Sequence, residues 1–340
     1  MSSETAIRPH TAAEAASGNV SVEISLTAAI VSVDGDNPRI LVVRPGERRE
    51  GVRVALPFGL FSPLEHRTLE IGLRAWVQEQ TGLQLGYVEQ LYTFGDRGRH
   101  ARPGDTGPQV VSIGYLALTR SGAHCGGLKQ GDWQSWYNFF PWEDRRNEKP
   151  AILSEGILPR LGEWANRSEP SDAPARPLSR SDRLGISFGG AEGWDEEKVL
   201  ERYELLYEAG LIAEALTDGR EAARQWKDLP AFGVPMQFDH RRILATAMSR
   251  LRGKIKYRPV IFELMPETFT LYELQRTVEA ILGSHLHKQN FRRLIAASGL
   301  VEETGGIQTA TGGRPAKAYR FRREVILERP SAGVRVRGRG

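Results

Sequence analysis

A single cysteine, Cys125, in a chain of 340 residues excludes an internal disulfide and any zinc site built from several thiolates. Glycines and His124 surround it, which places it in a loop as an incidental thiol, and a reducing cytoplasm is the expected setting. Long apolar runs are also missing. No window approaches the length of a membrane-spanning helix, and Met1 to Gly18 is small and polar, without the apolar core of a signal peptide. No membrane partner is therefore expected. The seven histidines show no ligand spacing, so no metal site and no required cofactor is expected. What remains, 40% hydrophobic and 26% charged residues, describes a globular chain long enough for two domains with cores of their own.

Charge is unevenly divided. Residues 236–340 hold 20 Lys and Arg against 9 Asp and Glu, a net of +11, and the remaining 235 residues hold 26 against 33, a net of −7. The whole-chain balance of +4 hides this. Within the basic part, Thr270 and Glu273 form a capping box ahead of Leu271, Leu274, Val278 and Ile281 at helical spacing, and Gly283 stops the pattern. After a short turn a second helix is predicted over 286–298, ending at Gly299, with Phe291, Leu294 and Ile295 on its apolar face. Residues 300–303 and 316–321 then read as two strands around a Gly- and Thr-rich tip ending in Gly-Gly-Arg-Pro. Helix, turn, helix and basic hairpin is the order of a winged helix-turn-helix. Its second helix would enter the major groove of double-stranded DNA, and phosphate contacts would hold the register. Gln289 and Asn290 suit adenine edges, and Arg292 or Arg293 guanine or phosphate. Lys288 joins them, Thr270 stands at the start of the first helix, and Arg314 and Lys317 reach from the wing. A solvated amphipathic helix beside a generic hairpin is the plainer reading, but motif order and local charge agree on DNA.

Earlier in the chain, residues 22–33 alternate as a strand, a turn follows at Asp34 to Pro38, and residues 39–44 form a second strand. A helix with Leu69, Leu73, Trp76 and Val77 on one face ends at Thr81-Gly82. Residues 83–94 read as two further strands and 110–119 as a buried one, in the order of a layered αβ domain. The aromatic run 134–142 is expected in a core or a subunit contact. Residues 150–164 form a helix, 168–181 a Pro- and Ser-rich linker, and 194–216 two short helices split at Gly210. A basic helix capped by Asp239 leads into the winged domain and is expected to be its first helix. The domain boundaries expected are 20–168 for an effector-binding domain, 169–237 for a linker and helical connector, and 238–326 for the DNA-binding domain. Disordered tails are expected at 1–19 and 327–340.

The stretch Gly59, five residues, Glu65, then a helix ending Gln78-Glu79-Gln80-Thr81-Gly82-Leu83 resembles the Nudix box. In that box carboxylates converge on magnesium ions that bridge a diphosphate. Aligned on Gly82, Ala75 replaces the box arginine, Trp76 its first glutamate and Gln80 its last. Glu79 alone remains of the cluster, and the span from Gly59 is two residues longer than standard. An indole and an amide cannot replace carboxylates around a hard divalent cation. A degenerate Nudix domain ahead of a winged helix ending Gly-Gly-Arg-Pro-Ala-Lys-Ala-Tyr-Arg-Phe resembles the Nudix-related transcriptional regulator (NrtR) family, over about 26–324.

The resemblance implies an α+β chain, a Nudix-like αβα sandwich followed by a C-terminal winged helix-turn-helix. It implies a homodimeric, cytoplasmic and nucleoid-associated repressor in NAD metabolism that binds a palindromic operator and senses an ADP-ribose-like effector nucleotide. The alternative is an active hydrolase of ADP-ribose-type substrates with an appended nucleic-acid-binding domain. A diphosphate needs cationic partners and an adenine an apolar slot. The residues expected around such a cleft are Arg44, Arg49 and Arg53, Phe58, Glu65, Arg74, Glu79, and Phe94 with Asp96.

Overall fold

The computed structural model describes residues 22–44, 53–96, 109–120, 131–167, 176–190, 193–308 and 315–325. The chain opens with β1 (Val22–Asp34), which turns at Gly35 into β2 (Asn37–Val42). The short β3 (Phe58–Leu60) precedes α1 (Leu69–Thr81), and β4 (Tyr87–Phe94), β5 (Gln109–Leu118) and β6 (Asp132–Ser135) complete a mixed sheet. Its order is β4-β5-β1-β2-β6, with β3 also paired to β1. β1 runs parallel to β5 from Val22↔Gln109 to Val31↔Leu118 and antiparallel to β2 and β3. From Leu26 to Val33 every residue of β1 is buried, as expected of a strand covered on both faces.

Alternation along the strands sorts the core into two layers. Leu26, Ala28, Ile30, Ile113 and Tyr115 face α1 through Leu73 and Val77. Ala29, Val31, Ile40, Val42, Leu116 and Leu118 face the other way, against an aromatic segment in which Trp136, Phe139, Phe140 and Trp142 are fully buried. The aromatic run is thus core. Residues 83–94 supply one strand, β4, instead of two, because the carbonyls of Leu85 and Gly86 accept from Arg74 of α1 and not from a neighbouring strand.

A helical layer covers the aromatic face. A π-helical turn, Ile152–Ile157, runs into α2 (Leu158–Asn166), followed by α3 (Arg180–Phe188), α4 (Val199–Glu208), α5 (Ala213–Thr217) and α6 (Glu221–Arg224). Residues 194–216 do split at Gly210, which has φ +73. Val199, Tyr203, Leu206 and Ile212 join the same buried cluster as the sheet, so this stretch packs against the sheet's aromatic face. Then α7 (His240–Ile255) lies between that layer and the sheet. Its Ile243 closely approaches Gly114 of β5.

The winged part follows. A tight turn at Pro259–Glu263 precedes α8 (Leu271–Leu282), α9 (Lys288–Ser298) and the antiparallel pair β7 (Val301–Gln308) and β8 (Ala316–Phe321). The capping box forms as the sequence predicts: the Thr270 hydroxyl accepts from Glu273 N–H at 3.1 Å, and Glu273 accepts from Thr270 N–H at 2.7 Å. Phe291, Ile295 and Leu300 are buried beneath α9. Phe262 stacks on Phe321 with ring centres 4.3 Å apart. Phe269 exchanges two backbone hydrogen bonds with Tyr319, at 3.0 and 2.8 Å, which ties the wing to the entry of α8.

Candidate nucleic-acid interface and effector cleft

Two surfaces carry the chemistry. The first is α9. Phe291 and Ile295 pull one side of the helix into the winged core, which turns Lys288, Gln289, Asn290, Arg292 and Arg293 to solvent. Within this set Arg293 Nη2 donates to Asn290 Oδ1 at 3.3 Å. Long donors in the first turns of an exposed helix suit phosphates and base edges. The turn between α8 and α9 is fixed by Glu279, a buried side chain. Its carboxylate accepts from Leu286 N–H at 2.9 Å and from Gln275 at 2.8 Å, and it meets His285 Nδ1 at 3.1 Å.

Thr270 lies elsewhere than the exposed set: it is buried, and its hydroxyl is engaged in the capping box. Lys317 is exposed on β8 and donates to Glu303 at 2.8 and 3.0 Å, a pair that raises the lysine pKa and that phosphate can displace. Arg314 and Arg49 lie outside the described residues.

The second surface lies at the N-terminal end of α1. Here Phe61, Arg67, Thr68, Leu69 and Glu70 face Val88 and Gln90 of β4 and Tyr115 of β5 across a cleft of about 470 Å³. The Thr68 hydroxyl caps α1 by accepting from Ile71 N–H at 3.2 Å. Tyr115 donates to Gln90 Oε1 at 3.4 Å. Burial raises the Tyr115 pKa, and the Glu70 carboxylate adds to the rise, so the phenol stays a hydrogen-bond donor. The cleft combines an aromatic wall, a side-chain amide, a carboxylate and an arginine at a helix N-terminus. Such a set accommodates a ligand with an aromatic base, hydroxyls and an anionic group.

Of the nine residues expected from the sequence, the eight that are described lie outside the lining of this cleft. Arg44 is exposed at the end of β2, Arg53 is half-buried and Glu65 is exposed. Arg74 is used inside the fold: it pairs with Glu70 at 2.8 Å and donates to the carbonyls of Leu85 and Gly86. Phe94 is a core residue with the Arg242 guanidinium 5.2 Å above its ring, and Asp96 pairs with Arg242. Phe58 packs edge-on against Phe238 and His240 at 5.2 and 5.1 Å. Glu79 is exposed on α1. Thr68, an N-cap residue directly before α1, is the cleft residue with a local signal in the sequence. Gln90 and Tyr115 meet only through the β4–β5 register, which pairs them directly.

Further along α1, Trp76 and Gln80 pin the helix to β3. Trp76 Nε1 donates to Leu60 O at 2.9 Å, and the indole lies where a Gly59 Cβ would be, within 2.2 Å. Gln80 accepts from Phe58 N–H at 3.3 Å and donates to Phe58 O at 2.5 Å. Among the described residues no group of three His, Cys, Asp or Glu is placed to hold a metal ion. No helix there is long and apolar enough to cross a membrane.

Known proteins resemble both halves. Residues 261–321 match the family described as the NrtR DNA-binding winged helix domain. Over 98 residues the chain is 45% identical to the ADPR responsive transcriptional repressor NtrR of Acinetobacter baylyi, a match covering 28% of this chain and 39% of that protein. The chain therefore spans well under half of that relative's length. The crystal structure of Shewanella oneidensis NrtR complexed with a 27mer DNA superposes with a TM-score of 0.52 at 18% identity, covering 89% of this chain and 95% of that one. The structure of the same protein without DNA superposes with a TM-score of 0.52 at 19% identity, covering 88% and 94%. At these identities the structural likeness establishes the fold.

Proposed function

We propose, from a winged helix of the NrtR family carried on a body of the NrtR fold, that the protein is a DNA-binding repressor whose grip on its operator is set by an ADP-ribose-like nucleotide. The observation that carries this is the exposed polar and cationic face of α9, held outward by its buried opposite side within the region that matches the winged helix family. The name of the Acinetobacter relative, an ADPR responsive repressor, supports the effector class.

The nucleotide's place in this reading is the cleft at the start of α1, with Phe61 beside the base, Arg67 and the helix N-terminus near phosphate, and Glu70 and Gln90 toward ribose hydroxyls. It lies at the opposite end of α1 from Gln80, twelve residues and roughly 18 Å away. Trp76 and Gln80 hold β3 where a hydrolase needs metal-binding carboxylates, so the chain senses the nucleotide and leaves it intact. Two copies of the winged part, related by a two-fold axis, would read two half-sites of a palindrome. Genes of NAD metabolism are the fitting targets for a sensor of such a nucleotide.

The test is a mobility shift on duplex DNA from upstream of its own gene, titrated with ADP-ribose and Mg²⁺, with AMP release assayed in the same samples. A specific shift that ADP-ribose alters without AMP release is expected. AMP release that depends on Glu79 would instead make the chain a hydrolase.

A further inference from the structure

The end of α8 is not closed by its own sequence alone. A helix leaves its last carbonyls without partners. Here Gly283, at φ +73, returns its N–H to Glu279 O at 2.9 Å, the ordinary left-handed cap. Three further carbonyls are met by donors from outside the winged part. The Tyr137 hydroxyl donates to Ala280 O at 2.7 Å, Arg252 Nε to Ile281 O at 2.8 Å, and Arg145 N–H to Gly283 O at 2.7 Å. Tyr137 lies within the aromatic segment, Arg145 just after it, and Arg252 comes from α7. The fit is close. A Cβ at Gly283 would meet the Glu143 carbonyl at 2.2 Å and the Tyr137 hydroxyl at 2.9 Å.

Behind these donors stands Glu143. It is fully buried, as are Arg202 and Arg252. Its carboxylate accepts from Arg202 Nε at 2.6 Å and Nη2 at 2.8 Å, and from Arg252 Nη1 at 2.6 Å. Arg202 also donates to the carbonyls of Ser187 and Asp195, and Arg252 to that of Glu196. The Trp194 ring lies 3.8 Å from the Arg202 guanidinium and 4.4 Å from that of Arg145. One carboxylate thus joins the aromatic segment, α4, α7 and, through Arg252, the last turn of α8. Glu279 then carries the connection across the turn to Leu286 and α9.

We infer that Tyr137, Glu143 and Arg252 are positioning residues for DNA reading. They fix α8, and with it α9, to the effector-binding body, so each chain presents its reading helix as a rigid part of that body. This rests on the reading of α9 as the DNA-contacting helix.

The experiment uses full-length protein. Wild type, Glu143→Gln and the double variant Tyr137→Phe/Arg252→Met are measured on a duplex that wild type enriches from a random-sequence pool and on a scrambled duplex, at several salt concentrations. The double variant removes two donors to α8 while leaving Glu143 paired with Arg202, so it protects against simple unfolding. Specific affinity is expected to fall at least about tenfold in both, as the population competent to read falls. Affinity for the scrambled duplex and the salt slope are expected to stay at wild-type values, because the phosphate contacts are untouched. Folded variants with an unchanged ratio of specific to scrambled affinity overturn the inference. Hydrogen exchange on wild type gives a second reading that needs no variant. The Arg145 and Gly283 amides are expected to exchange only with opening of the body, and early exchange of these two alone also overturns it. Enrichment of no duplex by wild type would remove the DNA-reading premise, while the exchange measurement would still report on the anchor.

Discussion

Gly59 owes its identity to Trp76. The indole occupies the space of a missing Cβ, and its N–H holds Leu60 O, so a hydrogen-bonded ring fills the room a side chain would need. Adding one methyl group has a definite expected effect. Gly59→Ala must displace the ring or β3, and overpacking of this kind costs about 1–3 kcal/mol. A lower urea midpoint at an unchanged m-value checks it. The three buried arginines make the complementary point. Arg202, Arg241 and Arg252 are fully buried, although an arginine in a sequence defaults to solvent. Arg241 shows how burial is tolerated. It pairs with Glu214 at 3.1 Å, donates to the carbonyls of Phe139 and Phe232, and lies among the rings of Phe140, Trp142 and Tyr203. No spacing in the sequence announces partners that lie 27 and 102 residues away.

Among the elements, α8 and α9 are the ones their own residues define most fully. Thr270 caps α8, and Thr270→Ala is expected to lower stability by about 1 kcal/mol, read as a shift in the thermal midpoint. Because Thr270 is buried, its loss should leave the salt slope of DNA binding unchanged. Lys288→Ala on α9 is expected to do the reverse. Stability holds, duplex affinity drops for all sequences, and the salt slope falls by about one. A Lys288→Ala protein with wild-type affinity at low salt would remove this helix from the interface. α7 is harder to place from sequence. Its periodicity and basic residues suggest the first helix of the winged part, but its buried face serves the body. His240 Nδ1 accepts from Leu56 N–H at 3.0 Å, Arg242 pairs with Asp96 and Asp239, and Lys254 pairs with Glu89 on β4.

Across the whole molecule, Glu89, Glu143, Asp144 and Glu208 all have lowered pKa values. Burial alone would raise each, and in turn Lys254, Arg202 with Arg252, Arg146, and Arg183 outweigh it. The folded chain therefore binds protons later than the unfolded one as pH falls. The stability these groups contribute is fully present above the ordinary carboxylate range, about pH 4. It is lost as pH drops through their lower folded values. Urea midpoints measured from pH 7 downward should hold and then fall on the acid side, and constancy to about pH 3 would contradict the pairing. The sequence by itself determined the winged helix and the box helix. Capping residues, left-handed glycines and apolar periodicity act within a few residues of where they stand, as at Thr270, Gly283 and Gly299. Only the tertiary structure decided that the cleft lies at the start of α1, because Gln90 and Tyr115 meet through strand register. It alone decided that Glu143 meets Arg252 of α7, because the two lie 109 residues apart, a distance no local signal spans.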